Sequence, residues 1–202
     1  LSNFQRQQLF STSKHLHDHI SDNDLVAAVL RGETQAFAGI VRRYERPIAA
    51  TITGMLGRTE EVEEIGQQVF IRFYEALPNF RGDASVKTYL TRIAINLSLN
   101  ELKRRKRRFS LFRSVDDALE LPSEADDHAE SSADRELIEQ ALKRIPAGMR
   151  EVVVLRLVNG YSTEETATML NIPEGTVLSR LSLARKQLQT LLKPFFGEEY
   201  AK

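Results

Sequence analysis

Between residues 109 and 133 the chain loses all helical period and turns acidic and rich in Ser, Ala and Asp. Such a stretch reads as a linker, because it offers too little apolar surface to offset the entropy of ordering. It divides the 202 residues into two segments, each the size of a small domain. Fully extended, the linker could span roughly 80–90 Å.

Both flanks carry helical periodicity, and neither shows the alternation of a strand. The expected fold class is therefore all-α: two small helical domains at 21–108 and 134–192, with a polar lead-in at 1–20 and a tail at 193–202. In the first domain Ser21 and Asp24 form a capping-box-like start to a short helix that Gly32 stops. A longer helix runs from Glu33 to about Leu56, and Pro47 inside it is expected to kink or split it. Thr59 can cap a third helix, whose first turn holds Glu60, Glu61, Glu63 and Glu64 at its positive end. Its apolar face continues through Ile65, Val69, Phe70 and Phe73. Pro78 to Ala84 reads as an ordered loop anchored by Phe80. The fourth helix, Ser85 to about Arg108, carries Val86, Leu90, Ile93 and Leu97 on a core face. Beside that face Tyr89, Arg92, Asn96, Asn100, Lys103 and Arg107 follow one another at steps of three or four, and so share one side.

In the second domain a helix over Asp134–Ile145 is followed by one that Pro146 opens and Gly160 ends. Ser162 and Glu165 form a capping box on a short helix to Leu170. Asn171 then stands where a tight helix–helix turn needs a left-handed residue. The last helix begins at Pro173, with Val177, Leu181, Ala184, Leu188 and Leu191 on its apolar side. The small Ala167 between these signals completes a helix-turn-helix pattern, whose second helix enters the major groove of DNA.

The formal net charge of zero hides strong segregation. Lys103, Arg104, Arg105, Lys106, Arg107 and Arg108 are six consecutive cations. Acids then dominate residues 109–136 (Asp116, Asp117, Glu120, Glu124, Asp126, Asp127, Glu130, Asp134 and Glu136). Two or three cations would only cap a helix end. Six beyond a polar stripe point to phosphate contacts. The stripe itself is either an ordinary solvated face or a surface for unpaired bases, which aromatic rings stack on and Asn reads by hydrogen bonds. Phe80 is a loop staple or one wall of a pocket for an extruded base. Glu174, Thr176, Ser179, Arg180, Arg185 and Lys186 on the last helix are candidate contacts to duplex DNA, the first three equally plausible as helix-start residues.

The chain contains no cysteine, which excludes a disulfide framework and a thiolate metal site. No apolar run reaches the roughly 18 residues of a membrane span, and no signal-peptide pattern opens the chain, so a cytoplasmic location is expected. His15, His17 and His19 alternate in the lead-in, a spacing more often incidental than a metal site. No nucleophile–base pair, P-loop or ligand cluster is present, so neither enzymatic activity nor a cofactor or metal is expected.

The segments Asp24-Leu-Val, Gly32-Glu, Ala36-Phe, Val41-Arg-Arg-Tyr, Ile65-Gly-Gln-Gln-Val-Phe-Ile-Arg-Phe-Tyr-Glu-Ala-Leu and Asn79-Phe-Arg-Gly-Asp-Ala-Ser resemble domain 2 of extracytoplasmic-function sigma factors, as does Thr88-Tyr-Leu-Thr-Arg-Ile-Ala-Ile-Asn. Arg150-Glu-Val-Val-Val-Leu-Arg, Gly160-Tyr-Ser-Thr-Glu-Glu-Thr-Ala and Pro173-Glu-Gly-Thr-Val-Leu-Ser-Arg-Leu resemble their domain 4. The resemblance runs in the family's order over about Ser21 to Leu192. It implies a non-catalytic subunit that directs bacterial RNA polymerase to promoters and helps to open them. Domain 2 would bind the polymerase clamp helices through Glu63, Glu64, Gln67, Gln68, Phe70, Arg72 and Tyr74. The 80–100 region, with Phe80 at a flipped-base pocket and Asn96 on that base or its neighbour, would read and melt the −10 element, and Arg104 belongs to the same surface. Domain 4 would take duplex DNA at −35 and touch the polymerase flap, and the linker would thread past the RNA path. An anti-sigma factor is the further expected partner, holding the protein at the inner membrane until release to the nucleoid. This sequence departs from the family at Leu178, where a cation is usual, and at Leu183, often polar or basic. Gln68 replaces a common acid, Tyr89 a usual Trp, and Thr91 a residue that is often aromatic.

The alternative is a stand-alone helix-turn-helix regulator, with residues 21–108 as a dimerisation or sensing domain. It predicts tight promoter binding without polymerase and leaves the 80–108 stripe without a purpose.

Overall fold

A computed structural model describes residues 20–112 and 130–196 of the chain. Within these residues every regular element is helical: α1 (Asp22–Leu30), α2 (Phe37–Leu56), α3 (Glu61–Ala76), α4 (Val86–Phe112), α5 (Glu130–Arg144), α6 (Ala147–Val153), α7 (Thr163–Leu170) and α8 (Glu174–Phe196). Single 3-10 turns at Thr34–Ala36 and Leu77–Asn79 lead into α2 and out of α3, and a π-helical turn, Val154–Val158, extends α6. The lead-in with its three histidines and most of the expected linker lie outside the described residues.

Several boundaries follow the local chemistry. The Ser21 hydroxyl accepts the Asp24 N–H at 3.2 Å, and Gly32 takes φ of 96° to end the first helical unit. Ser85 accepts the Thr88 N–H at 3.1 Å and starts α4. Ser162 and Glu165 exchange both bonds of a capping box, and Asn171 occupies the left-handed region at φ 53°. Other expectations need correction. Pro47 does not split α2: Ile40, Ile48, Ile52, Met55 and Leu56 on both sides of it are fully buried, and that burial outweighs one lost backbone bond. Thr59 does not cap α3 with its side chain. Its hydroxyl instead accepts from the Arg105 guanidinium at 3.1 Å. The helices α4 and α5 extend into the stretch expected as linker, and α8 continues beyond residue 192.

Helix α4 lies at the centre of the first domain, against α2 and α3. Its burial is wider than the sequence stripe: Val86, Leu90, Thr91, Ala94, Ile95, Ser98 and Glu101 are all buried. As far as Leu102, two packed neighbours leave one side of α4 to solvent; beyond it Lys106, Arg108 and Phe109 are exposed as well. In the second domain α5, α6, α7 and α8 enclose Leu142, Ile145, Val152, Val153, Ala167, Val177, Leu181 and Ala184.

The two domains are also in contact. Val154, Leu155, Tyr161 and Met169 belong to the core of the first domain rather than of the second. Local sequence periodicity gives no hint of this joint.

Candidate nucleic-acid interface

The side of α4 that remains open carries Arg92, Asn96, Asn100, Lys103, Arg104 and Arg107, all exposed. Two buried flanks fix their direction, so the stripe is presented rigidly. At its C-terminal end Asn100, Lys103, Arg104, Arg107 and Arg108 line an open cleft. Donors and cations converge there and no acid joins them, which suits a phosphate backbone.

Part of the cationic run serves the fold. Glu101 is buried and pairs with Arg104 at 2.6 Å and with Arg105 at 3.2 Å. Arg105 turns away from the stripe to Glu61 at 3.0 Å, tying α4 to the start of α3. A backbone hydrogen bond, with help from Thr59 and Arg105, holds the Glu61 carboxyl below its usual range. Hydrogen bonding and charge from Glu101 raise the affinity of Arg104 for its proton, so Arg104 stays cationic at the rim.

At the other end of the stripe the aromatic residues form a fixed cluster. Phe73 is fully buried; Phe80 meets it edge-on at 5.5 Å between centroids, and Tyr89 lies 5.5 Å from Phe73 and 5.4 Å from Phe80. Phe80 and Tyr89 are each half-buried. Phe80 therefore staples its loop and also keeps ring surface at the head of the stripe.

The outer face of α3 presents Glu63, Glu64, Gln67, Gln68, Arg72 and Tyr74, with Phe70 half-buried beside them. Tyr74 packs edge-on against Phe37 at 5.0 Å, and Ile71 is 47 % exposed. Exposed apolar side chains mixed with polar ones are typical of a protein-binding face.

In the second domain Glu174, Leu178, Ser179, Arg185 and Lys186 lie on the open side of α8, with Thr176 half-buried. The Ser179 hydroxyl donates to the Thr176 carbonyl at 3.1 Å. Arg180 is directed inward: its guanidinium meets Glu151 at 3.0 Å and the Gly148 carbonyl at 3.3 Å, holding α8 on α6. Burial pushes the Glu151 carboxyl up, and Arg180 opposes that shift. Sequence reasoning missed this pair, since Arg180 falls on the polar side of a helical projection. Leu178, at 55 % exposure, projects among Gly175, Ser179 and Ser182. Leu183 is 49 % exposed on the same helix. Among the described residues no cluster of three or more His, Asp or Glu could hold a metal, and no helix is long and apolar enough to cross a membrane.

Comparison with known proteins agrees with this layout. Residues 40–108 match the family model for sigma-70 region 2, and residues 135–188 match that for sigma-70 region 4. The RNA polymerase sigma-H factor of Pseudomonas aeruginosa is 35% identical over 189 residues, covering 88% of this chain and 96% of the relative. The ECF RNA polymerase sigma-E factor of Escherichia coli K12 is 30% identical, covering 89% and 98%. Among solved structures, CnrH in complex with the cytosolic domain of CnrY superposes with a TM-score of 0.62 at 26% identity, covering 86% of this chain and 98% of that one. The sigma factor RpoE of Bartonella quintana, solved with the anti-sigma factor NepR, has the same fold: its TM-score is 0.63 at 23% identity, with 78% and 96% covered. The chain belongs to the extracytoplasmic-function sigma factors, non-catalytic subunits that direct RNA polymerase to promoters.

Proposed function

We propose that the open side of α4 reads the −10 element as single strand, that the outer face of α3 docks on core polymerase, and that α8 reads the −35 element as duplex. The observation that carries this is the presentation of Arg92, Asn96, Asn100, Lys103 and Arg107 along one side of a helix whose residues Leu90, Thr91, Ala94, Ile95, Ser98 and Glu101 are buried. In this division of labour domain 2 spans residues 21–108 and domain 4 residues 134–192. Phe80 and Tyr89 offer ring surface against which an extruded base stacks, and Asn96 reads its edge. Lys103, Arg104 and Arg107 hold the phosphates. Energy from captured bases then offsets the unstacking of the duplex, and no hydrolysis is needed.

Neutralising two of the phosphate-holding cations tests the assignment. In the Lys103→Gln/Arg107→Gln variant, holoenzyme affinity should fall by a similar factor on every promoter. The slope of log affinity against log salt should become shallower by roughly one per lost contact, as for phosphate binding. An unchanged salt slope would remove these cations from the interface.

On α8 the −35 set is Glu174, Thr176, Ser179, Arg185 and Lys186. Arg180 leaves it, because its guanidinium is committed to Glu151 and Gly148. Leu178 takes its place: an apolar side chain raised above small neighbours suits the 5-methyl group of thymine, whereas an arginine would pair with guanine. Leu178→Arg should therefore shift the preferred base at one −35 position from T to G by roughly 10- to 100-fold, following the 1–3 kcal/mol of a bidentate contact. Selection from a randomised −35 pool reads the change, and an unaltered preference would take Leu178 out of base contact.

An anti-sigma factor completes the proposal, supported by the capture of CnrH with the cytosolic domain of CnrY. Such a partner would keep the chain at the inner membrane and release it into the cytoplasm and nucleoid. A pulldown recovering polymerase alone would count against it.

A further inference from the structure

Glu101 stands where α4 meets the cationic run, with its side chain only 6 % exposed. A carboxylate so buried carries a desolvation cost that an apolar side chain of similar size would avoid. Packing alone therefore gives no reason for an acid here. Its bonds do. One oxygen accepts from the Nε of Arg104 at 2.6 Å, and the other from the Nε of Arg105 at 3.2 Å. The two arginines follow three and four positions later, so both reach the same carboxylate from the next helical turn.

Beyond that shared anchor the two arginines part. A terminal nitrogen of Arg105 donates to Thr59 at 3.1 Å and meets Glu61 at 3.0 Å. This tie to the start of α3 does not need Glu101. Arg104 is half exposed and lines the cleft with Asn100, Lys103, Arg107 and Arg108. Of the four cations there, Arg104 is the one whose side chain has a polar partner among the described residues. Because that partner takes Nε, both terminal nitrogens stay available as an end-on fork for two phosphate oxygens.

We infer that Glu101 is a positioning residue for promoter recognition: its buried carboxylate fixes the Arg104 guanidinium at the cleft before DNA arrives, so that Arg104 grips a phosphate of the −10 strand in one register. This rests on the −10 reading of α4 above. A phosphate held there sets where Asn100 and Asn96, about one and two turns back, meet their bases. Glu101 itself does not touch DNA. It lowers the ordering cost of the arginine that does. Electrostatics alone predicts the reverse effect: an acid beside a phosphate site repels the strand, and its removal would tighten binding.

Equilibrium binding of the holoenzyme to a promoter mapped by run-off decides between the two signs. Glu101→Met removes the carboxylate and both of its bonds. Methionine suits the buried site and Arg105 keeps Thr59 and Glu61, so the chain should fold and assemble with core polymerase. Promoter affinity should fall roughly three- to tenfold, as for two directly coupled side chains. In an Arg104→Gln background the same substitution should cause no further loss, since no guanidinium remains to be positioned. Glu101→Gln keeps the shape of the side chain but cannot hold two guanidinium groups, so it should weaken binding less and depend on Arg104 in the same way. Glu61→Gln loosens the tie between α3 and α4 without removing the Arg104 anchor, and should not weaken promoter binding. Unchanged or tighter binding by either Glu101 variant, a loss of equal size in the Arg104→Gln background, or an equal loss in Glu61→Gln would overturn the positioning role. Arg104→Gln alone tests the underlying −10 reading: its salt slope should become shallower by roughly one, and an unchanged slope would remove both.

Discussion

Arg150→Met is expected to lower the urea-derived stability of the chain by about 3 kcal/mol, because it leaves three carbonyls, two of them buried, without this donor at once. Arg150 donates to Lys143 O at 2.6 Å and Ile145 O at 3.1 Å, closing the end of α5, and to Met55 O at 2.5 Å, closing the end of α2. Methionine fills much of the same volume, so the loss would be of hydrogen bonding rather than of packing. Burial, followed by the nearby charge of Arg105, pulls the Arg150 pKa below its ordinary value, which shows that the site is costly for a cation. The bonds must offset that cost. A change within about 0.5 kcal/mol of wild type, the level of ordinary surface substitutions, would mean that they do not.

The second large effect concerns Asn96→Ala. Asn96 is exposed midway along the open side of α4, between Arg92 and Asn100, and has no role in packing. Loss of one amide that reads a base edge is worth roughly 1–3 kcal/mol, or about 10- to 100-fold in formation of the open complex. Permanganate reactivity of unpaired thymines in the −10 element measures that opening directly. Affinity for core polymerase should be unchanged, since that surface lies on α3. Normal reactivity in the variant would move base recognition elsewhere on the stripe.

Local signals in this chain were legible. The Ser162–Glu165 capping box, the left-handed Asn171 and the apolar steps of α8 are decided within a few residues, and each is found in the structure. The α4 stripe was legible for the same reason, since helical geometry alone aligns residues 92, 96, 100, 103 and 107. What sequence could not supply depends on distant partners. The Thr59 hydroxyl is drawn from its local capping role by Arg105, 46 positions away. Arg180 looks like a solvent-facing cation until α6 brings Glu151 beside it. The joint between the domains links Thr51 to Asn159 and Thr91 to Tyr161, pairs 108 and 70 positions apart, and its residues carry no periodic signal. The buried face of α4 that holds Thr91, Ser98 and Glu101 was hidden because polar residues add nothing to an apolar pattern. The partner of Thr91 comes from another element and those of Glu101 from the cationic run itself, while the Ser98 hydroxyl is buried without one.

The most direct measurement is run-off transcription by core RNA polymerase, with and without this protein, on a pool of fragments from its own genome. The account predicts discrete starts that depend on the protein, preceded by two shared elements about two helical turns apart. Protein-independent transcription only, together with tight salt-sensitive binding of the protein alone to duplex DNA, would contradict it.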